Sequence, residues 1–487
     1  MNLPIEFAPQ DKRPMYQQLF DALAKAIRSG QLKVGDHLPS TRELAATLGL
    51  ARGTVVHAYD ELLNQGLVMS KTGTSTKIVA PFVDGGVEQT SLAVSGEGAS
   101  ARVDGQLSRY GKRLLELEVS GHTSGDLPAL NYGCTPKDLL PLRQWRELLS
   151  RHCRIESSDT LRYVTEPFGY RPLREGVSNY LTRTKAVRCH PDQVIIFSGS
   201  QQALDNIVSV LIDPQDKVVV ENPGYVGIRE RLLAQGAQLE PIDVDQNGMR
   251  VDLLGELASD YKLIHTTPAG HDPTGVQMSS ERRSALLALA KKKGCLILED
   301  AWDTDYVYGP AVPSLQGSSD EQSVIYLYSL FKVLYPLTTL TVAVIPVHLI
   351  PVFTRAKLLS ERQVPALAYC ALSDFIEEGH LDAQIRRTQK IYQKRRQLLM
   401  FALTASFRDN IKVSPKSAGL HLTVQFKPEL NQETIVHCAT QAALSLVCTR
   451  PYYVNNPRLN EFLLAFSNIP EADIAAQVQK FADLLFG

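Results

Sequence analysis

The sequence predicts a multi-domain chain: an N-terminal winged helix-turn-helix of α+β type, then a larger α/β domain that ends in a smaller α/β subdomain. Three observations carry this reading. Leu38–Gly66 reads as two short helices joined by a glycine turn. Beyond residue 190, short apolar runs alternate with helical segments, the pattern of a mostly parallel sheet covered on both faces. Between these regions, residues 81–106 are rich in Gly, Ser, Ala, Val and Glu without a hydrophobic period, as in a flexible linker. The length of 487 residues suits about three domains. The expected division is 1–80, 81–106 and 107–487, with the small subdomain from about 390.

In the first region, Leu19, Leu23 and Ile27 are spaced by four in a run that starts at Met15, which predicts an amphipathic helix. Ser40 and Glu43 form an S-x-x-E capping box for a second helix. Leu44, Ala45 and Leu48 are its apolar stripe, and Gly49 is its left-handed stop. A third helix opens near Arg52, turns Val55, Tyr59, Leu62 and Leu63 inward, and ends at Gly66. Leu67–Val79 reads as a hairpin about a Gly-containing turn. Helices and hairpin together make a DNA-binding arrangement. The chain's net charge of −1 excludes a global attraction to nucleic acid, so contact falls to a local basic face of Arg42, Arg52, Lys71 and Lys77. Any one of them alone would be ordinary solvated surface.

Composition narrows the class further. Hydrophobic residues make up 44%, enough for real cores, which excludes a disordered chain. The seven cysteines are scattered and never fall in C-x-x-C, which argues for a reducing compartment and against zinc. The N-terminus lacks a charged segment followed by an apolar core, so no signal peptide is expected. The most apolar run, Val342–Phe353, is broken by Pro346, His348 and Pro351 and is too short to cross a bilayer. A cytoplasmic protein without a membrane partner is expected.

In the body, Val194–Phe197 reads as a strand that runs into Ser198-Gly199-Ser200-Gln201, a strand-to-helix turn whose N–H groups suit a phosphate. Lys217–Glu221, Leu263–Thr267, Cys295–Asp300 and Val324–Tyr328 are further buried strands. Ligands of such sheets sit beyond the C-terminal strand ends, where the polar residues gather. Asp300 ends one strand, and a carboxylate there can pair with the protonated ring nitrogen of pyridoxal phosphate. Lys332 follows the next strand, and a partly desolvated lysine can form a Schiff base with an aldehyde. His271-Asp272-Pro273-Thr274-Gly275 is a polar loop at a third strand end. Singly these are a tight turn, a solvated strand end and a surface lysine; their convergence makes the argument. From Leu367 one helical stretch runs through Asp374 and Arg386 past Arg396, and strands such as Leu420–Val424 belong to the small subdomain.

Two resemblances follow from these residues. The first region resembles the GntR superfamily: Tyr16-x-Gln18, Gly30-x-Leu32-x-x-Gly35-x-x-Leu38-Pro39-Ser40-x-Arg42-x-Leu44-Ala45, Arg52-x-Thr54-Val55 and Ala58-Tyr59 fall on its pattern. It departs at Ser75, where the family carries a second wing glycine. Operator DNA would then be met by Arg42, Arg52, Thr54 and Lys71. Residues 107–487 resemble a class I aminotransferase domain of the fold type I pyridoxal-phosphate enzymes. Further matches are Phe168-Gly169-Tyr170-Arg171-Pro172, Gln201-Gln202-Ala203-Leu204-Asp205, Glu221-Asn222-Pro223-Gly224-Tyr225 and Gly419-Leu420-His421. A GntR-type module joined to such a domain is the arrangement of the MocR subfamily of transcription regulators.

The second resemblance implies pyridoxal 5'-phosphate as cofactor. Lys332 would hold its aldehyde, Asp300 its ring nitrogen, Ser200 and Gln201 its phosphate, and Tyr225 its ring face, with Asp272 beside its phenolate. Tyr163 would reach the phosphate bound in the partner subunit, which implies a homodimer, head-to-tail and domain-swapped. The departures matter as well. Thr339 stands where the family pairs an arginine with the phosphate, and Asp272 where it has an asparagine donor. Trp302 replaces a tyrosine, Phe331 a serine, and Leu463 the arginine that clamps a substrate carboxylate. Losing a charged phosphate contact costs about 1.5–3 kcal/mol, or about one to two decades in affinity. The expected function is a regulator whose aminotransferase-like domain dimerises and senses pyridoxal phosphate or its adduct with an amino compound. Two alternatives stay open. A working aminotransferase with an attached DNA-binding module is one, against which Leu463 speaks. A cofactor-free dimeriser is the other, for which Thr339 and Asp272 speak.

Overall fold

In the computed structural model, residues 13–69, 76–79, 106–117, 135–154, 166–257, 260–309, 312–319, 323–414 and 418–487 are described. The chain divides into two units, Met1–Gly105 and Gln106–Gly487. The first holds α1 (Met15–Arg28), α2 (Thr41–Leu48), α3 (Arg52–Asn64) and a two-stranded ribbon, β1 (Val68–Met69) against β2 (Lys77–Ile78). The capping box forms: Ser40 Oγ accepts from Glu43 N at 3.2 Å, and the Glu43 carboxylate accepts from Ser40 N at 2.9 Å. Gly49 closes α2 at φ 66°. Leu19, Leu23 and Ile27 of α1 pack against Leu44, Val55, Ala58 and Leu62, while Tyr59 Oη donates to Pro39 O at 2.8 Å. Leu63 departs from expectation and stays exposed. It lies a further 100° round the helix from Leu62, past the face that Val55, Ala58, Tyr59 and Leu62 already fill. The tip of the wing, with Lys71 and Ser75, and the stretch 81–105 lie outside the described residues.

The second unit is built on an eight-stranded sheet in the order β3-β10-β9-β8-β7-β4-β5-β6. Its strands are β3 (Val194–Phe197), β4 (Lys217–Asn222), β5 (Gln238–Asp245), β6 (Gly248–Met249), β7 (Leu263–Thr266), β8 (Leu296–Ala301), β9 (Val324–Ser329) and β10 (Thr341–Val344). Strands β9, β8, β7, β4 and β5 run parallel, as the continuous apolar runs require. Strand β10 is antiparallel to both neighbours. It is reached from β9 through one short helix, Phe331–Leu334, and so little chain cannot make the crossover that a parallel pair needs.

Both faces of the sheet are covered. Ile195 and Phe197 pack with α6 (Ser200–Leu211) and with Phe353 of α8 (Ile350–Ser360). Val194 and Ile196 point the other way, toward α5 (Arg171–Lys185) and α9 (Ala366–Glu377). Near the start of the unit, α4 (Arg109–Glu116) docks on α7 (Val226–Gln235), where Arg113 donates to Ala234 O and Gln235 O at 2.8 and 2.9 Å. The helical stretch expected as one piece from Leu367 is two helices, α9 and α10 (His380–Phe407). Gly379, at φ 77°, takes a left-handed turn between them that a side chain would oppose. Helix α10 runs through residue 390 and leads into a four-stranded antiparallel sheet in the order β11 (Ile411–Val413), β12 (His421–Phe426), β14 (Glu461–Ala465), β13 (Leu446–Cys448). Among the described residues the cysteines are free thiols, no cluster of metal ligands occurs, and no helix is long and apolar enough to cross a membrane.

Candidate functional site

The C-terminal ends of β3, β4, β7, β8 and β9 bring six of the expected site residues to one end of the sheet: Ser200, Gln201, Tyr225, Asp272, Asp300 and Lys332. Helix α6 begins at Gly199, which carries no side chain to cap it. Gln202 Oε1 takes up Ser198 N at 2.8 Å, just ahead of the helix. Ser200 Oγ pairs with Thr341 Oγ1 at 3.1 Å, and Gln201 Nε2 donates to Gly227 O at 3.2 Å. Thr339 Oγ1 donates to Ser198 O, so position 339 contributes a tethered hydroxyl ahead of α6. A Cβ at Gly227 would lie 2.6 Å from Tyr225 Oη and 2.9 Å from Gln201 Oε1. Glycine is therefore what lets Tyr225 and Gln201 share this wall.

Lys332 sits in the short helix after β9 and is 9% exposed. Its Nζ lies 4.9 Å from the centroid of Trp302, and Thr135 Oγ1 fixes its carbonyl at 2.8 Å. Asp300, on the adjacent strand, is buried with His265 Nε2 at 3.7 Å from its Oδ2. The loop expected to be polar is polar but buried. His271 contacts Pro223 O at 3.0 Å and Thr274 Oγ1 at 2.7 Å through its two ring nitrogens, and Asp272 N donates to Thr267 Oγ1 at 3.2 Å. Beneath it, Glu221 accepts from Thr266 Oγ1, Thr267 N and Thr267 Oγ1 at 2.7, 3.1 and 2.8 Å. Burial first, then the negative charges of Asp300 and Asp272, drive the Tyr225 phenol well above its usual range.

Tyr452 is a site residue that sequence reasoning missed. Burial, with Asp272 and Tyr225 as neighbours, holds its phenol well above the ordinary value. Its carbonyl accepts from Gly224 N at 2.9 Å, and Asn222 Oδ1 accepts from Val454 N at 2.9 Å and Asn455 N at 3.3 Å. No local motif marks Tyr452, because its segment meets β4 only through the tertiary fold. Leu463, on β14, is fully buried and pairs with Thr423 of β12, whose Oγ1 donates to Pro273 O at 3.3 Å. Residues directly opposite in an antiparallel pair share a face, so Leu463 offers hydrocarbon on the side of the Asp272 loop. Trp302 lies 6.4 Å from His421 in a stacked pair and donates to Gly270 O at 3.3 Å. Tyr163 lies outside the described residues. In the first unit Arg42 and Arg52 are exposed in the first turns of α2 and α3, and Thr54 is half-buried in α3.

The sequence matches the family "Aminotransferase class I and II" over residues 130–472 and "Bacterial regulatory proteins, gntR family" over residues 15–78. It is 30% identical to the "Probable rhizopine catabolism regulatory protein MocR" of Rhizobium meliloti, across 94% of this chain and 90% of that protein. It is 23% identical to the "HTH-type pyridoxine biosynthesis transcriptional regulator PdxR" of Corynebacterium glutamicum, across 99% and 98% of the two chains. An archaeal alanine:glyoxylate aminotransferase superposes with a TM-score of 0.72 at 24% identity, covering 78% of this chain and 98% of that one, and shows the same fold. The helix-turn-helix, the aminotransferase fold and similarity along the full length converge, and the chain belongs to the MocR type of gntR-family regulators, in which a helix-turn-helix module is joined to an aminotransferase class I and II domain.

Proposed function

We propose that this protein is a cytoplasmic DNA-binding transcription regulator that works as a head-to-tail homodimer and senses pyridoxal phosphate, free or joined to an amino compound. The observation that carries the reading is the gathering of Lys332, Asp300 and the uncapped start of α6 at one end of a sheet, in a chain that also carries a helix-turn-helix. The residues fit the cofactor. The first amides of α6, with Ser200 and Gln201, suit its phosphate. Tyr225, freed by Gly227, suits its ring face; Asp300 suits its ring nitrogen and Asp272 stands by the phenolate; the Lys332 amine suits its aldehyde. Bound there, pyridoxal phosphate supplies an aldehyde carbon that amines occupy reversibly. His265 backs the Asp300 carboxylate, and Trp302 shields Lys332 from water.

Sensing is favoured over turnover by Thr339, Asp272 and Leu463, which put a hydroxyl, an acceptor and a hydrocarbon where an aminotransferase uses two cations and a donor. A sensor needs only a difference in ligand affinity between two states, and a tenfold difference already supplies about 1.4 kcal/mol of bias. On the DNA side, Arg42, Arg52, Thr54 and Lys71 would contact the operator, and Tyr163 would complete the partner's phosphate site.

The test pairs a visible absorption spectrum of the purified protein, titrated with pyridoxal phosphate, with an operator-binding assay at each addition. A visible band that grows together with a change in operator affinity is expected. A band without any change in operator binding would turn the reading toward an enzyme, and no band at all toward a cofactor-free dimeriser.

A further inference from the structure

Beside the start of α6 lies an ion pair that the cofactor reading does not use. Lys357, in the last turns of α8, is fully buried, and its Nζ lies 4.6 Å from the ring centroid of Phe197, the last residue of β3. It pairs with Glu361, one turn on, whose other oxygen accepts from Ser198 Oγ at 3.1 Å. The end of α8 is held against α6, where Asn206 Nδ2 donates to Ser360 Oγ at 3.3 Å. Burial presses the Lys357 amine below its usual value, and the Glu361 carboxylate pulls it back. The same carboxylate adds to burial in raising the Tyr369 phenol.

We propose that the Lys357–Glu361 pair sets how strongly this site holds a phosphate, with Glu361 as a built-in competing anion at the foot of α6. The inference rests on reading the start of α6 as the phosphate site. A helix N-terminus attracts negative charge, and Glu361 accepts from Ser198, two residues before Ser200. A phosphate arriving at Ser200 and Gln201 meets a like charge nearby and finds only a hydroxyl at Thr339. Lys357 stands behind the carboxylate, on the side of the Phe197 ring, and holds it in place. A buried ion of either sign would be costly without the other. The pair thus discriminates against phosphate-bearing ligands specifically, and an uncharged aldehyde does not feel it.

The test compares pyridoxal phosphate with pyridoxal, which has the same ring and aldehyde but no phosphate, by absorption titration of the full-length protein. Glu361→Gln keeps the size and an acceptor for Ser198 while removing the charge. It is expected to bind pyridoxal phosphate about tenfold more tightly and to leave pyridoxal affinity unchanged. Because this variant leaves Lys357 buried without a counter-charge, thermal unfolding is followed, and Lys357→Met/Glu361→Gln is measured beside it. The double variant is expected to shift the preference in the same direction. A preference within about twofold of the parent's in the folded variants, or equal shifts for both aldehydes, overturns the assignment and leaves the cofactor reading standing. If the parent binds neither aldehyde, the cofactor reading falls and takes this assignment with it.

Discussion

At the scale of single residues, Lys332 and Asp300 lie at neighbouring strand ends, and each was legible because an apolar strand delivers it there. Borohydride reduction in the presence of pyridoxal phosphate, followed by peptide mass spectrometry, should label Lys332. A label on another lysine would remove it from its role. Glu299, one residue before Asp300, presents a different case. Burial pushes its carboxyl from 4.5 up to about 7, against the pull of Arg283 and of the N–H groups of Leu315 and Gln316. The folded chain therefore holds this proton more tightly than the unfolded chain. Its contribution is fully present below the unfolded value and is lost as pH rises through about 7. Glu299→Gln should flatten that part of the stability–pH profile in thermal unfolding, and an unchanged slope would show that the carboxyl titrates elsewhere. Neither the burial of His271 and Asp272 nor the approach of Tyr452 could be read from the sequence. The first depends on how the loop folds under β4, and the second on contacts between segments more than two hundred residues apart.

At the scale of elements, local signals did most of the work. The Ser40 capping box and the left-handed Gly49 bound α2 because both satisfy helix ends within a few residues of sequence. Errors arose where the deciding constraint was angular or topological. Leu63 is apolar, yet it sits off the buried stripe of α3. The turn at Gly379 is hidden in a sequence that is helical on both sides, while the mostly parallel sheet expected from the apolar runs has an antiparallel strand, β10, within it. Arg42 and Arg52 stand in the first turns of α2 and α3 with exposed side chains, where a helix pair meets a DNA backbone or base edge. Replacing either with alanine should weaken operator binding by about 1–3 kcal/mol if a base contact is lost. A lost phosphate contact should flatten the salt dependence by about one unit of slope. Parent-like binding by both variants at matched salt would place the recognition surface elsewhere.

At the scale of the whole molecule, the departures at Thr339, Asp272 and Leu463 act together on one outcome. Transamination needs the cofactor anchored while its lysine bond is broken and remade, and it needs the substrate held within about 1 Å of the reactive geometry. A screen of common amino acids with 2-oxoglutarate or pyruvate as acceptor should therefore give no sustained turnover. Steady multiple turnovers with any pair would make the protein an enzyme. Helix α7 bears on how a sensor of this build could report. It starts directly after Tyr225 and ends under Arg113, which grips its last two carbonyls from α4. Ten residues of α-helix form a strut about 15 Å long, too short to flex appreciably along its axis. The Tyr225 ring at one end and the anchorage of α4 at the other are thus opposite ends of one beam. Arg113, which grips the far end, belongs to α4, the first helix described after the DNA-binding module along the sequence.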